Sequence, residues 1–545
     1  MDSHPWWQTT VIYQIYPRSF QDTTGSGVGD LPGITRRMSY LADTLGVGAI
    51  WISPFYPSPM ADFGYDVADY TDVHPMFGTL DDFDELLTVA HSHNIKVIID
   101  WVPNHSSDQH PWFLESRSSR DNPKRDWYIW RDAKPDGSLP NNWQSAFGGP
   151  AWEFDEATGQ HYLHSFVAAQ PDLNWRNPEL KQAMFDTVRF WLDRGIDGLR
   201  IDVAHFIGKD PELRDNPLVT DDWERKFKSH GSDYDGQVHL HDKGHPDAHN
   251  IFRELRTLLD SYEPDRFAIG EIHIADWQEW ASYYGKSGDE LHMPYNFSLI
   301  HTPWEAESIR SKVAELERSL PEGAWPSYVL GNHDETRLAA RLGPEAAGVA
   351  AMLLLTLRGT PTLYYGDELG ILQTDIAPED QQDPWGRNLP GAGRDGCRTP
   401  MQWDRSPHGG FSPPATATTW LPTTLDRERR NVESQLQDPA SLLALYRALL
   451  QYRNSSATLQ TGAYRPADSP GGCYSYERTS DTSRIQIALN FADDELQVPL
   501  VDSGTVALST YLDRKGDSAI STMTLRPNEG VIIELGYNVT PAPAE

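Results

Sequence analysis

"GLRIDVAHF", residues 198–206, is the stretch on which the reading of this chain turns. Its apolar, β-branched character is that of a buried strand, yet Arg200 and Asp202 stand two residues apart inside it. Alternate residues of a strand share a face, so the two charges project together into whatever the strand lines. A structural ion pair and a working site both account for such a pair. The neighbouring segments decide between them.

Seven further short apolar runs match it: "VIYQIYP" at 11–17, "AIWISPF" at 49–55, "KVIIDWV" at 96–102, "RFAIGEI" at 266–272, "HMPYNFSL" at 292–299, "SYVLGNH" at 327–333 and "TPTLYYGD" at 360–367. Amphipathic stretches such as 80–94 and 179–195 lie between many of them and finish at Asn or Gly, as helix C-termini do. Alternating strand and helix predicts an α/β fold with a parallel sheet, here a closed (β/α)8 barrel. The catalytic barrel is expected to span 1–102 and 173–457. A loop-rich subdomain is expected at 103–172, after the third strand, and a second insertion at about 371–420, after the eighth; both are too long for a helix and two turns. From 458 to 545 the alternating patterns "RIQIALNFA" and "GVIIELGY" predict a C-terminal antiparallel β domain.

The bulk properties narrow the functional classes. With 545 residues the chain exceeds what one core organises. A net charge of −33 repels phosphate backbones and anionic membrane surfaces, which argues against nucleic acid and membrane partners while leaving a neutral substrate unaffected. The start, "MDSHPWWQTT", lacks the basic and apolar regions of a secretion signal, and no apolar run approaches 18 residues, so a cytoplasmic location is expected. Two cysteines, Cys397 and Cys473, are too few for a disulfide framework and lack zinc-ligand spacing.

The polar residues at strand ends then fall into register. The third strand ends in Asp100 with Asn104 and His105 beyond it, the fourth carries Arg200 and Asp202, the fifth ends at Glu271, and the seventh runs into Asn332, His333 and Asp334. Carboxylates at the C-terminal ends of different barrel strands converge on one mouth. Chemistry that uses two or three carboxylates and no Ser, Cys or metal nucleophile is glycosidic bond cleavage. Arg200, beside Asp202, is expected to keep that carboxylate ionised, as a nucleophile requires. Burial between Ile269 and Ile272 is expected to raise Glu271, as a general acid requires.

The segments "DWVPNH" (100–105), "QPDLNW" (170–175), "GLRIDVAH" (198–205), "GEI" (270–272), "GNHD" (331–334) and "GTPTLYYGDELG" (359–370) appear in the order and spacing of the α-amylase family, family 13 of the glycoside hydrolases. Nearly the whole chain resembles that family. Within it, "VIYQIYPRSF", "FGYDVADY" and "GCRTPMQW" resemble the α-glucosidase and oligo-1,6-glucosidase group. The resemblance implies an exo-acting retaining α-glucosidase acting on short oligosaccharides, with possible transfer of glucose to acceptors other than water. Asp202 is then the nucleophile, Glu271 the acid and base, and Asp334 a grip on sugar hydroxyls. It likewise assigns Asp62, Tyr65, His105, Arg200, His333 and Arg398 to the terminal glucose, and Phe166 to a stacking wall.

"DTTGSGVGD" (22–30) matches the family's small-cation loop, with Asp22, Thr24, Ser26, the Val28 carbonyl and Asp30 as its ligand positions. Thr24 and Ser26 replace an amide and a carboxylate, so a structural Ca²⁺ or Mg²⁺ and a metal-free Gly-rich turn both remain open. No cofactor is expected in the chemistry, and the assembly is expected to be a monomer or homodimer. Val203, directly after the nucleophile, resembles the 1,6-cleaving members, whereas His205 departs from their usual Asn. Sucrose isomerases and trehalose synthases share the same acids; the nearest stretch to the isomerases' charged loop is "RLAARLG" at 337–343. A non-catalytic, transporter-associated subunit would lack an acid and carry a membrane span.

Overall fold

The computed structural model describes residues 4–220, 232–424 and 426–536. Residues 1–3 of the amino-terminal stretch and 537–545 of the expected C-terminal domain lie outside the described residues. All eight expected strands form: β1 (Ile12–Ile15), β2 (Ala49–Ile52), β3 (Lys96–Trp101), β4 (Gly198–Ile201), β5 (Phe267–Glu271), β6 (Met293–Tyr295), β7 (Ser327–Val329) and β8 (Thr360–Tyr364). They make one parallel sheet in the order β7-β8-β1-β2-β3-β4-β5-β6. The ladder is interrupted between β6 and β7, where Pro294 has no N–H to give and the Ser327 hydroxyl instead donates to the Pro294 carbonyl at 3.4 Å. Almost every strand residue is buried, as a parallel sheet covered on both faces requires.

The two-residue period sorts these strands into an inner and an outer face. Ile12, Trp51, Ile98, Phe267, Ile269, Met293, Tyr295 and Val329 share an inner cluster, while Tyr13, Ile15, Ile50, Ile52, Val97 and Ile99 belong to the cluster that packs on the helices. Inner parity continues to Gln14, Asp100, Arg200 and Glu271. The interior is therefore apolar below and charged at the C-terminal mouth. Gly198 sits on the same row because a Cβ there would lie 2.9 Å from the Phe267 carbonyl.

Helix α1 (Leu80–Ser92) starts in a Thr79/Asp82 capping box, and α2 (Pro178–Arg194) is capped by Asn177 and stopped by Gly195 at φ 112°. Helices α3 (Asp247–Leu259) and α4 (Ala306–Ser319) cover the sheet further along. Residues 103–172, expected to be mostly loop, hold a helix (Pro111–Ser118) and an antiparallel sheet of Trp130–Arg131, Gln160–Leu163 and Trp152–Asp155. Phe113, Trp130 and Tyr162 pack together there, so aromatic contacts supply the core that sequence periodicity did not reveal.

Towards the C-terminus, a six-stranded antiparallel sheet is built on Cys473–Thr479, Arg484–Asn490 and Gly530–Leu535. It packs on α5 (Ala347–Thr356), a helix buried on all sides. Arg478 donates to the Thr356 and Gly462 carbonyls at 2.7 and 2.8 Å, and Arg453, from α6 (Leu442–Ser455), to those of Leu355 and Gly359 at 2.9 and 2.7 Å. These contacts tie strand ends to main chain rather than to other charges. Among the described residues no helix is long and apolar enough to cross a membrane. Leu353→Ala in α5 should lower stability by about 2–5 kcal/mol through the cavity it leaves, read as a fall in urea midpoint, with the kcat of whatever activity is assayed unchanged.

Candidate active site

At the barrel mouth one pocket brings together Asp62, Tyr65, His105, Phe166, Asp202, Glu271, His333 and Asp334. Arg200 lies beneath it, 1% exposed, with its guanidinium 4.8 Å from the Trp51 ring centroid. Its Nη1 donates to Asp100 Oδ1 and Asp202 Oδ1, both at 2.8 Å, and its Nη2 pairs with Glu271 Oε2 at 2.7 Å. One guanidinium therefore gathers three buried carboxyls from three adjacent strands.

The carboxyls differ in their remaining donors. Asp100 also accepts from Trp51 Nε1 at 3.0 Å and the Tyr65 hydroxyl at 3.2 Å, and burial raises it to about 6. Glu271 accepts from the Val203 N–H at 2.9 Å and has His273 Nε2 at 2.6 Å from its Oε1. The sequence led us to expect a raised Glu271 and an Asp202 kept ionised by Arg200; the shifts run the other way, with Glu271 lowered and Asp202 raised. Burial pushes both up, but at Glu271 the charge of Arg200 and the His273 contact outweigh burial and hold it below the ordinary carboxylate range. Asp202 has only its shared Arg200 bond to offset burial, and the charges of Glu271 and Asp100 raise it further. Donor number, which neighbouring sequence does not encode, sets the order.

Val203 makes this arrangement possible at a strained position. Its φ of 35° and ψ of 47° lie in the left-handed region, unfavourable for a β-branched residue, and the turn aims its N–H at Glu271.

The opposite wall is built from the loop holding Asp62 and Tyr65. Asp66 fixes this loop by accepting from the Ala61 and Asp62 N–H groups at 2.8 and 2.9 Å. Tyr65 stacks on His333, 5.5 Å between centroids and 4° from parallel, with its hydroxyl 2.8 Å from Nε2; Gln14 Nε2 lies 2.7 Å from Nδ1. Burial lowers His333 to about 3 and His105 to about 4, so both rings are neutral hydrogen-bonding groups near pH 7. Phe166 meets His105 and Phe206 at 5.3 and 5.1 Å.

Arg398 lies behind the pocket wall, donating to the His333 carbonyl at 2.7 Å and to Asp334 Oδ1 at 2.9 Å. Arg394, not singled out from sequence, lines the pocket itself. It reaches Asp62 Oδ1 at 2.8 Å and Asp334 Oδ1 at 3.0 Å, and is anchored to Asp383 at 2.7 and 2.9 Å. Phe147 and Trp385, from the two insertions, stack at 5.0 Å beside this guanidinium. The Arg394–Asp62 pair and this stack form part of the pocket wall. Lys209 was also missed: its ammonium is ringed by Asn104 Oδ1, Ser165 Oγ, the Phe206 carbonyl and Asp172 Oδ2, between 2.7 and 3.1 Å. It sets the Asn104 amide that donates to His105 Nδ1 at 3.1 Å. A buried lysine among oxygens was legible as a type of site only once the loops had folded together.

The 22–30 loop has its oxygens engaged by protein donors. Asp22 Oδ1 accepts from Thr24 N, Thr24 Oγ1 and Gly25 N, its Oδ2 from Gly27 N and Ser412 Oγ, and Asp30 from Thr23 and Gly33; the Val28 carbonyl accepts from Ser26 Oγ at 3.1 Å. Oxygens filled by N–H and O–H groups do not fit a cage for a hard cation.

Residues 14–462 match the family model of the alpha amylase catalytic domain. The chain belongs to the α-amylase family. This family member is a glycoside hydrolase. A probable alpha-glucosidase of Rhizobium meliloti (strain 1021) is 44% identical over 90% of each chain, and the oligo-1,6-glucosidase of Heyndrickxia coagulans is 37% identical over 97% of this chain and 99% of its own. Among solved structures of similar proteins, the alpha-glucosyl transfer enzyme XgtA superposes with a TM-score of 0.92 at 41% identity, covering 98% of this chain and 100% of its own. The trehalulose synthase MutB of Pseudomonas mesoacidophila MX-45 gives 0.88 at 34% identity with the same coverage.

Asp62 yields a pH prediction. Burial raises it to about 6, against an ordinary 3.8, and Arg394 only partly offsets this. A carboxyl raised on folding binds its proton more tightly in the native state, so its cost to stability grows as pH rises from about 4 to 6. Asp62→Asn keeps an acceptor for Arg394 without that cost. Its stability relative to wild type should grow by about 1–3 kcal/mol between pH 4 and pH 7 in paired denaturant titrations, while its kcat/KM falls.

Proposed function

We propose that this enzyme is an exo-acting α-glucosidase that releases the terminal non-reducing glucose of short oligosaccharides with retention. The observation that carries this reading is a pocket with the Asp62–Arg394 ion pair in its wall and with Asp202 and Glu271 held by adjacent nitrogens of one guanidinium. An ion pair standing in the wall beside stacked Phe147 and Trp385 suits a chain terminus better than the middle of a polymer. Two carboxyls gathered on one guanidinium suit the close spacing of about 5–5.5 Å used in retaining chemistry, against ~6.5–9.5 Å in inverting chemistry.

In this reading Asp202 attacks the anomeric carbon as the glycosidic bond breaks, and Glu271 gives its proton to the leaving oxygen. Glu271 then takes a proton from the water, or acceptor hydroxyl, that displaces Asp202. Asp334, held by Arg394 and Arg398, binds sugar hydroxyls with His105 and His333, and Phe166 supplies an apolar wall. The relatives named as glucosidases support hydrolysis, and the alpha-glucosyl transfer enzyme supports a share of transfer. Val203 favours 1,6 linkages. Isomerisation is the second reading, favoured by the likeness to the trehalulose synthase. Against it, Arg337 and Arg341 of the 337–343 stretch turn to the main-chain carbonyls of Tyr365, Ile300 and Leu330 and do not line the pocket.

Glucose released from isomaltose and maltose should appear first as the α-anomer by NMR; the β-anomer first would overturn retention. Asp202→Asn should lower kcat by about 10³-fold or more, and an unchanged rate would sink its assignment. For the 22–30 loop we propose a turn that works without metal. Dialysis against EDTA should leave Tm and activity unchanged, and a Tm restored only by Ca²⁺ or Mg²⁺ would refute this.

A further inference from the structure

Glu271 has three donors, and they are not equivalent. Arg200 is sealed beneath the pocket and the Val203 N–H belongs to the main chain; both hold Oε2. Among the described residues Oε1 faces only His273 Nε2, at 2.6 Å. The His273 side chain is 15% exposed and stands at the pocket edge, where it lines both the active-site pocket and the cavity beyond Phe297. Its ring lies on Phe297, 4.3 Å between centroids and 19° from parallel, which keeps Nε2 aimed at the carboxyl. A general acid must carry its proton on an oxygen free of stronger donors, and here that oxygen is Oε1.

We propose that His273 is the positioning residue that stores the proton of Glu271 and hands it over when substrate fills the pocket. This rests on the reading of Glu271 as the acid. In the handover the Nε2–H bond of the imidazolium breaks, Nε2 keeps the electron pair as neutral imidazole, and the proton joins Oε1. Glu271 then protonates the leaving oxygen and regains a proton from water in the second half of the reaction, so no external acid is consumed.

The charged and titratable groups around His273 are few. Glu271 faces it directly, with Arg200, Asp202 and Asp334 beyond that carboxyl. His205 is 5.9 Å away between ring centroids. Across Phe297, Lys312 is paired with Glu315 at 2.7 Å and His301 lies 3.6 Å from Glu335.

The test compares wild type, His273→Gln and His273→Ala on maltose or isomaltose, whichever is cleaved faster, and on an aryl α-glucoside with a good leaving group. Gln keeps a donor to Oε1 but cannot store a proton. With the proton left on Glu271 alone, against Arg200 and Val203, the basic limb of kcat/KM on the disaccharide should move to lower pH by about one unit or more. On the aryl glucoside, which needs little acid assistance, the variants should stay within about threefold of wild type, and this activity also reports their folding. Superimposable disaccharide profiles for wild type and His273→Gln would overturn the proposal and leave His273 a spacer. A Glu271→Gln enzyme that still cleaves the disaccharide at the wild-type rate would instead remove the underlying acid assignment.

Discussion

Arg200 and the three carboxyls around it are the constraint on which the site depends. A guanidinium with three ionised carboxylates would leave two uncompensated negative charges in a buried barrel mouth, which low polarisability makes costly. The group is relieved by keeping a proton, and the donors around each carboxyl decide where it stays. Asp202, with fewer donors, is raised, and Glu271, with more, is lowered. The same interaction that holds Asp202 and Glu271 side by side therefore also pushes their proton affinities in opposite directions.

The surrounding walls serve this arrangement by excluding competing motions. The left-handed turn at Val203 places a main-chain donor against Glu271, and the Asp66 carboxylate freezes the loop that carries Asp62 and Tyr65. Lys209 supplies a positive charge where the 103–172 insertion meets the strand ends, so His105 and Phe166 are held from behind by an ammonium within the chain. The stack of Phe147 on Trp385 joins the two insertions over Arg394. A site whose polar groups are each held by a second polar group changes shape little as charge develops, which is the condition for electrostatic stabilisation of a transition state.

Much of this was legible from the chain alone. Eight apolar runs with helical stretches between them predict the barrel because strand and helix periods differ, and each of the eight forms a parallel strand. Asp202, Glu271, His333 and Asp334 could be placed at one mouth because all follow strand C-terminal ends. Arg394, Phe147, Trp385 and His273 could not. They lie in segments without periodicity, and only the meeting of two long insertions brings the first three into the pocket. Lys209 sits a few residues past a strand and gains its role from oxygens that are distant in sequence.

The sequence by itself determined the alternation that makes the barrel, the family to which it belongs and the identity of the charges at its mouth, because these follow from side-chain period and chemical type along a continuous stretch. Only the tertiary structure decided which carboxyl is raised and which lowered, which arginine faces the pocket and whether the 22–30 loop has oxygens to spare. Each of those depends on the number and direction of hydrogen-bond donors converging from separate segments, a quantity that exists only once the chain has closed on itself.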